Sequence, residues 1–252
     1  MASLKQNGIP LYVQLEEIFA ERIATGEWNV GETIPNELAL CEAFGVSRGP
    51  VRQALDQLVR AGRLRRKQGR GTVVLPPRQE SPLSDFYSFT RLIERSRMRP
   101  GMQMLSFDII PAEAKLRRAL NLEGPAQVFK IHRLRLANEE PLIVETVYIP
   151  QTICPALTAE EVMSASLYTL LKTHYGVGLV ASRQIFEPSV ANDFESGILG
   201  IGRHAPVLLL ENTAYARGES GHTPVVYSKA VMRGDRVRYY VEHTAPFNTE
   251  PE

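Results

Sequence analysis

Two sets of arginines have the residue type and spacing for chemistry. Arg48 and Arg52 lie four apart, and Arg60, Arg63, Arg65, Arg66, Lys67 and Arg70 crowd the stretch that follows. An arginine fork bonds a guanine edge or a phosphate at two points, so a helix carrying the first pair, followed by a basic ribbon, suits a polyanion. Arg133 and Arg135 lie two apart in a run of apolar residues. On a strand both would face one side, where two cations need a partner charge. Both sets point to the recognition of anions.

The first set is positioned by residues 1–75. From Ile9 to Thr25, Leu11, Tyr12, Leu15, Ile18, Phe19 and Ile23 recur at helical spacing, after Pro10 and before Gly26. Asn36 reads as the N-cap of a second helix, with Leu38, Leu40, Ala43 and Phe44 as its apolar face and Gly45 as its end. Ser47 is expected to cap a third helix, which tolerates Pro50 in its first turn and runs to Ala61 with Val51, Ala54, Leu55, Leu58 and Val59 buried. Leu64 and Val73 to Leu75 frame a hairpin around Gln68-Gly69-Arg70-Gly71. Helix, turn, helix and basic hairpin in this order make a winged helix-turn-helix that docks on duplex DNA. Ser47, Arg48, Gly49, Arg52, Arg66, Lys67, Gly69 and Arg70 are the candidate DNA contacts. Generic surface arginines are the bland alternative, and the motif weighs against it.

Charge supports the same division. Residues 1–78 hold 11 Lys/Arg against 8 Asp/Glu, while the remainder holds 18 against 20. The overall charge of +1 therefore conceals a local basic excess. No apolar run approaches a membrane span, and the first residues lack the pattern of a secretory signal, so a cytoplasmic protein with no membrane partner is expected. Cys41 and Cys154 are far apart in sequence, and the five histidines have no ligand spacing, so no disulfide, metal or cofactor is expected.

Ile34-Pro35-Asn36-Glu37-Leu38, Val46 to Leu55 and Gln68-Gly69-Arg70-Gly71-Thr72 resemble the GntR family of bacterial transcription regulators. The resemblance implies DNA contacts at Arg48, Arg52 and Gly69. Two departures stand out: the family usually has Arg at the place of Leu38, and Thr or Ser around Gly49-Pro50.

A proline-stiffened, polar connector is expected over residues 76–86, ahead of a second domain at 87–252. There, 103–110, 126–137, 142–149, 177–190, 207–217, 225–233 and 237–243 read as strands, and 112–121, 166–175 and 192–199 as helices. Turns are expected at 138–140, 218–222 and 234–235. The class is α+β, with helices on an antiparallel sheet. Tyr87-Ser88-Phe89-Thr90, Arg133-Leu134-Arg135, Pro141 to Glu145, Ser166-Leu167-Tyr168 and Pro224 to Arg236 resemble the effector-binding UTRA domain of the HutC subfamily, a fold shared with chorismate lyase. The resemblance implies that Ser88, Phe89, Thr90, Arg133, Arg135, Ser166 and Tyr168 hold an anion. Glu145 is the remaining candidate, and a simple cross-strand ion pair with Arg133 is the competing reading. Val226 and Met232 replace polar residues of the amino-sugar pattern, which implies a small anionic effector, phosphate- or carboxylate-bearing, with a differently shaped body.

These readings combine into a ligand-responsive regulator, a repressor acting as a homodimer on palindromic operator DNA. An enzyme retaining lyase-like chemistry and a sequence-neutral architectural DNA binder are the rivals.

Overall fold

The structure is a computed structural model describing residues 4, 8–67, 69, 71–82, 89–95, 97–218 and 221–240. The chain divides into two compact units, residues 1–78 and 79–252.

The first unit contains helices α1 (Leu11–Ala24), α2 (Glu37–Phe44) and α3 (Arg48–Arg60) and the hairpin of β1 (Leu64–Lys67) and β2 (Gly71–Val74). Pro10 precedes α1, and the Asn36 side chain accepts a 2.9 Å bond from the Ala39 amide at the start of α2. Gly45 ends α2 at φ 62°, a left-handed conformation that glycine adopts without a Cβ clash. The three helices close on Leu15, Phe19, Leu40, Val51, Leu55 and Leu58, which are almost wholly buried. Trp28 and Phe44 pack their rings on Phe19 at 5.3 and 5.7 Å. Leu38 and Ala43 were expected in the α2 core face, but both are exposed, Leu38 by 52%. With only eight residues, α2 buries a narrow stripe, and Leu40 occupies it.

The hairpin pairs Leu64 with Val74 and Lys67 with Gly71, and a bridge from Thr33 to Val73 ties it to the segment before α2. Gly71 is required on two counts: its φ is +83°, and a Cβ would lie 2.9 Å from the Thr33 methyl.

The second unit is a six-stranded antiparallel sheet with the spatial order β4-β5-β6-β9-β8-β7. The strands are β4 (Pro100–Pro111), β5 (Gln127–Ala137), β6 (Glu140–Pro150), β7 (Leu179–Val190), β8 (Pro206–Gly218) and β9 (Gly221–Arg233). Asn138 and Glu139, at φ 46° and 67°, make the tight turn between β5 and β6. One sheet face, carrying Phe129, Ile131, Val147 and Val226, packs with α6 (Ala159–Ser164) and α7 (Leu167–Tyr175). Leu134 and Val144, on the other face, cluster with Leu199 of α8 (Asp193–Leu199). Helix α5 (Ala114–Leu120) packs on β9.

Two expectations are corrected here. Residues 79–82, placed in the connector, form β3 (Gln79–Pro82), which pairs in parallel with β10 (Val237–Tyr240). The turn at 234–236 therefore does not close a hairpin; it carries the chain off the main sheet to β3. A two-strand parallel ladder uses backbone groups, so Gln-Glu-Ser-Pro can join it without an apolar pattern. Helix α4 (Phe89–Arg95) follows β3 in sequence and packs on both β3 and β4.

Candidate functional site

In the first unit, α3 exposes the residues expected to meet DNA. Ser47 occupies the N-cap position, but its hydroxyl makes no capping bond. Arg48, Gly49 and Arg52 are exposed on the first turns, and among the described residues no side chain pairs with either arginine. Gly49, Arg52, Asp56 and Arg60 border a shallow concavity of about 280 Å³ along the helix. Lys67 ends β1 on the outside, and Gly69 lies exposed at the hairpin tip with φ 72°. Arg70 lies outside the described residues.

Arg66 differs from its neighbours. Its guanidinium lies 2.8 Å from Asp56 of α3 and 3.6 Å from Glu37 of α2. It thus fastens the hairpin to both helices of the helix-turn-helix. Spacing alone could not reveal this, because Glu37 and Asp56 meet only once the helices cross.

In the second unit, Arg133 and Arg135 lie on one face of β5 and are only 5% and 6% exposed. They line a small cavity of about 40 Å³ with Glu145, Ser166, Tyr168 and Asn212. Arg133 sits opposite Glu145 in the β5–β6 register and donates from Nε to its carboxylate at 2.7 Å. The same carboxylate is 3.9 Å from Arg135. Arg135 donates to the Thr90 hydroxyl at 2.9 Å and stacks its guanidinium 4.6 Å from the Phe89 ring centroid. Phe89 and Thr90 come from the first residues of α4, so one helix end and one strand meet at a single cation. Ser88 lies outside the described residues.

Ser166 is the N-cap of α7, makes no side-chain capping bond, and lines the cavity together with Leu167 and Tyr168 of the first turn of α7. Tyr168 is half-buried overall, but its hydroxyl is enclosed and accepts a 3.3 Å bond from the Asn212 amide. Burial, reinforced by the Glu145 carboxylate, pushes the Tyr168 hydroxyl up to about 12, so it is a neutral donor near pH 7. Seven of the eight expected effector residues therefore gather in one place. Asn212 and Ser228 also line the cavity and were not anticipated. The available signal was polar residues on buried strands: Asn212 is 2% exposed and Ser228 7%. Val226 and Met232, on the same strand face as Ser228, belong to the apolar core instead.

A second group of buried charges flanks the sheet. Arg233, 2% exposed, pairs with Asp235 at 2.7 Å and Glu140 at 3.0 Å, and Arg236 reaches Glu140 at 3.0 Å. This network fixes the 234–236 turn against the β5–β6 hairpin, and so the point where β10 departs toward β3.

No helix among the described residues is long and apolar enough to cross a membrane. The family described as "Bacterial regulatory proteins, gntR family" matches residues 11–74, and the UTRA domain matches residues 95–238. The transcriptional repressor NagR of Bacillus subtilis strain 168 is 36% identical over 235 residues, 93% of this chain and 95% of the relative. MngR of Escherichia coli K12, a mannosyl-D-glycerate transport/metabolism system repressor, is 32% identical over 79% of this chain and 82% of its own. PhnF from Mycobacterium smegmatis shares the fold, with a TM-score of 0.63 at 24% identity over 94% of this chain and all of that one.

Proposed function

The chain belongs to the gntR family of bacterial regulatory proteins and carries a UTRA domain, and from that premise we propose that it is a repressor controlled by a small anion held at Arg133 and Arg135. Members of this family, including the relatives above, are transcription regulators, which sets aside the lyase-like enzyme reading. The carrying observation is the cavity lined together by both buried guanidinium groups and by Thr90, Ser166 and Tyr168, with Arg135 donating to the Thr90 hydroxyl. In low dielectric such donors favour an anion far more than they would in water. The α7 N-terminus adds backbone donors to the same place. The relative named for mannosyl-D-glycerate, a carboxylated sugar, is compatible with this class of ligand.

At about 40 Å³ the cavity has room for water but not for a metabolite, which needs a few hundred Å³. Effector binding therefore requires the cavity to widen, and the Arg135 contacts to Phe89 and Thr90 are the ones that give way. Those residues belong to α4, which packs on β3, the first strand after the DNA-binding unit. In a homodimer on a palindromic operator, a shift of α4 and β3 alters the relation of the two DNA heads, with a coupling of about 1–3 kcal/mol. Arg48 and Arg52 read base edges and phosphates, Ser47, Gly49, Lys67, Gly69 and Arg70 contribute further contacts, and Arg66 positions the hairpin.

The test is fluorescence anisotropy of a labelled operator duplex titrated with phosphorylated and carboxylated metabolites. Release by a subset of anions, lost in Arg133→Met and Arg135→Met while operator affinity persists, is the expected result. Normal release in both variants overturns the assignment.

A further inference from the structure

The cavity at Arg133 and Arg135 has two unlike ends. Across the sheet, Arg133 of β5 stands opposite Glu145 of β6, Glu145 opposite Ala230 of β9, and Ala230 opposite Leu210 of β8. In a neighbouring row on the same face, Ser228 of β9 stands opposite Asn212 of β8, and Asn212 opposite Gln184 of β7. The charged residues lining the cavity therefore lie at the β5–β6 end, where two guanidinium groups face one carboxylate, and the β8–β9 end is neutral.

The neutral end is nevertheless polar, and its hydrogen bonding is incomplete. Asn212, 2% exposed, donates from Nδ2 to the Tyr168 hydroxyl at 3.3 Å, while its buried Oδ1 has no hydrogen-bond partner among the described residues. Nε2 of Gln184, on the facing strand position, is also buried without a partner, so the two amides do not bond each other. A buried donor or acceptor is costly to leave unpaired, and Leu210 shows that an aliphatic side chain fits this wall without that cost. An unused acceptor and an unused donor on facing residues suit one neutral group that both gives and takes a hydrogen bond. A second anionic group fits poorly, because Oδ1 offers it no proton and the arginines stand at the other end.

The Tyr168 hydroxyl links the two ends. Because it accepts from Asn212, its own proton is left for a second partner, and Tyr168 lines the cavity together with both arginines. An anion taking that proton lies two hydrogen bonds from the Asn212 amide, a separation that about three carbon atoms span.

We propose that Asn212 is a specificity-determining residue: with Gln184 it forms a neutral subsite, so that the effector is anionic at one end only and carries, about three carbons away, an uncharged group that both donates and accepts a hydrogen bond. The inference rests on the anion reading of Arg133 and Arg135 and adds to it the chemistry of the rest of the ligand.

Calorimetric titration of the full chain with two matched series of probes is the test. One is propyl phosphate, glycerol 3-phosphate and 3-phosphoglycerate; the other is 4-methylpentanoate, succinamate and succinate. Each series keeps the anionic end and makes the other end apolar, neutral and polar, or anionic, with hydroxyls as the neutral group in the first series and an amide in the second. In a series that binds, wild type should prefer the neutral polar member to the other two by about tenfold or more. Asn212→Leu should bring the apolar and neutral polar members level, and Asn212→Thr, which keeps an acceptor, should retain part of the preference. If Asn212 only held Tyr168 in place, Asn212→Leu would weaken all members alike and leave their ratios unchanged. Should the leucine variant fail to fold, the wild-type ratios and Asn212→Thr still decide. Equal affinities, a preference for another member, or a preference that survives Asn212→Leu, in a series whose binding is lost in Arg135→Met, overturns the Asn212 subsite alone. Binding of neither series, or binding unchanged in Arg135→Met, overturns the anion reading and the subsite with it.

Discussion

The two arginine pairs use the same functional group in opposite settings. Arg48 and Arg52 stand in solvent on α3, without an ion-pair partner among the described residues. Arg133 and Arg135 are almost wholly buried and engaged by Glu145, Thr90 and Phe89. Exposed guanidinium groups in high dielectric interact weakly with one phosphate and gain strength from many, and salt screens them. Buried ones hold a single anion strongly in a fixed geometry, at the cost of needing partners when it is absent. A regulator needs both: one surface to bind a long polyanion reversibly, and one enclosed site to discriminate a small molecule.

The largest effect should come from breaking the buried pair. Arg133→Ala leaves the Glu145 carboxylate without its 2.7 Å partner in a site where it is 13% exposed. Removing one member of a buried ion pair typically costs about 3–5 kcal/mol, and urea unfolding of Arg133→Ala should show a loss in that range. Arg133→Met with Glu145→Leu should recover most of the stability but none of the effector response, separating the fold from the site. On the exposed pair, Arg52→Ala should move stability by no more than about 0.5 kcal/mol while weakening operator binding by about 1–3 kcal/mol and relaxing preference at one base position. A large stability loss in Arg52→Ala would erase the contrast between the two settings.

The exposed set was the more legible in sequence, for a physical reason. Its positioning is local: Asn36 caps α2, Gly45 ends it, Gly69 and Gly71 shape the hairpin, and each acts within a few residues of itself. The Arg133–Glu145 pairing was also readable, because a tight turn at Asn138-Glu139 sets the register of both strands. What escaped depends on segments far apart in the chain. β3 finds β10 across some 150 residues through backbone bonds, Asn212 reaches Tyr168 from another strand, and Arg233 is fixed by Glu140. No local pattern encodes these. Leu38 escaped for the reverse reason: helical spacing marks a face as apolar but not whether anything lies against it.

A smaller test sharpens the buried side. Tyr168→Phe removes the bond from Asn212 and should cost about 0.5–1.5 kcal/mol near pH 7. Its sign should change with pH. The folded Tyr168 hydroxyl titrates at about 12, whereas in the unfolded chain it titrates near 10, so the native state holds a proton that the unfolded state releases. The stability associated with this group is intact below about pH 10 and falls as pH rises toward 12, by up to ~1.4 kcal/mol per unit. Cys154, also pushed up to about 12 by burial, loses stability in the same direction in both proteins and cancels in the comparison. The gap between wild type and Tyr168→Phe, followed by chemical unfolding from pH 8 to 11.5, should therefore narrow and then invert. A constant gap would mean that the hydroxyl is not enclosed.

The smallest expected change lies at Arg66, where the two settings meet in one residue. Its basic surroundings resemble those of a phosphate contact, but its guanidinium is held by Asp56 and Glu37 at half-exposed positions. Arg66→Ala should lower stability by at most ~1 kcal/mol, as for an exposed pair, and leave the salt dependence of operator binding unchanged, because no phosphate contact is lost. Lys67→Ala should do the opposite, leaving stability unchanged and reducing the slope of log affinity against log salt by ~0.9. If Arg66→Ala reduces that slope as much as Lys67→Ala does, Arg66 leaves its carboxylates for a phosphate on binding. The line between arginines that position and arginines that contact would then run through the bound state of the hairpin instead of its free structure.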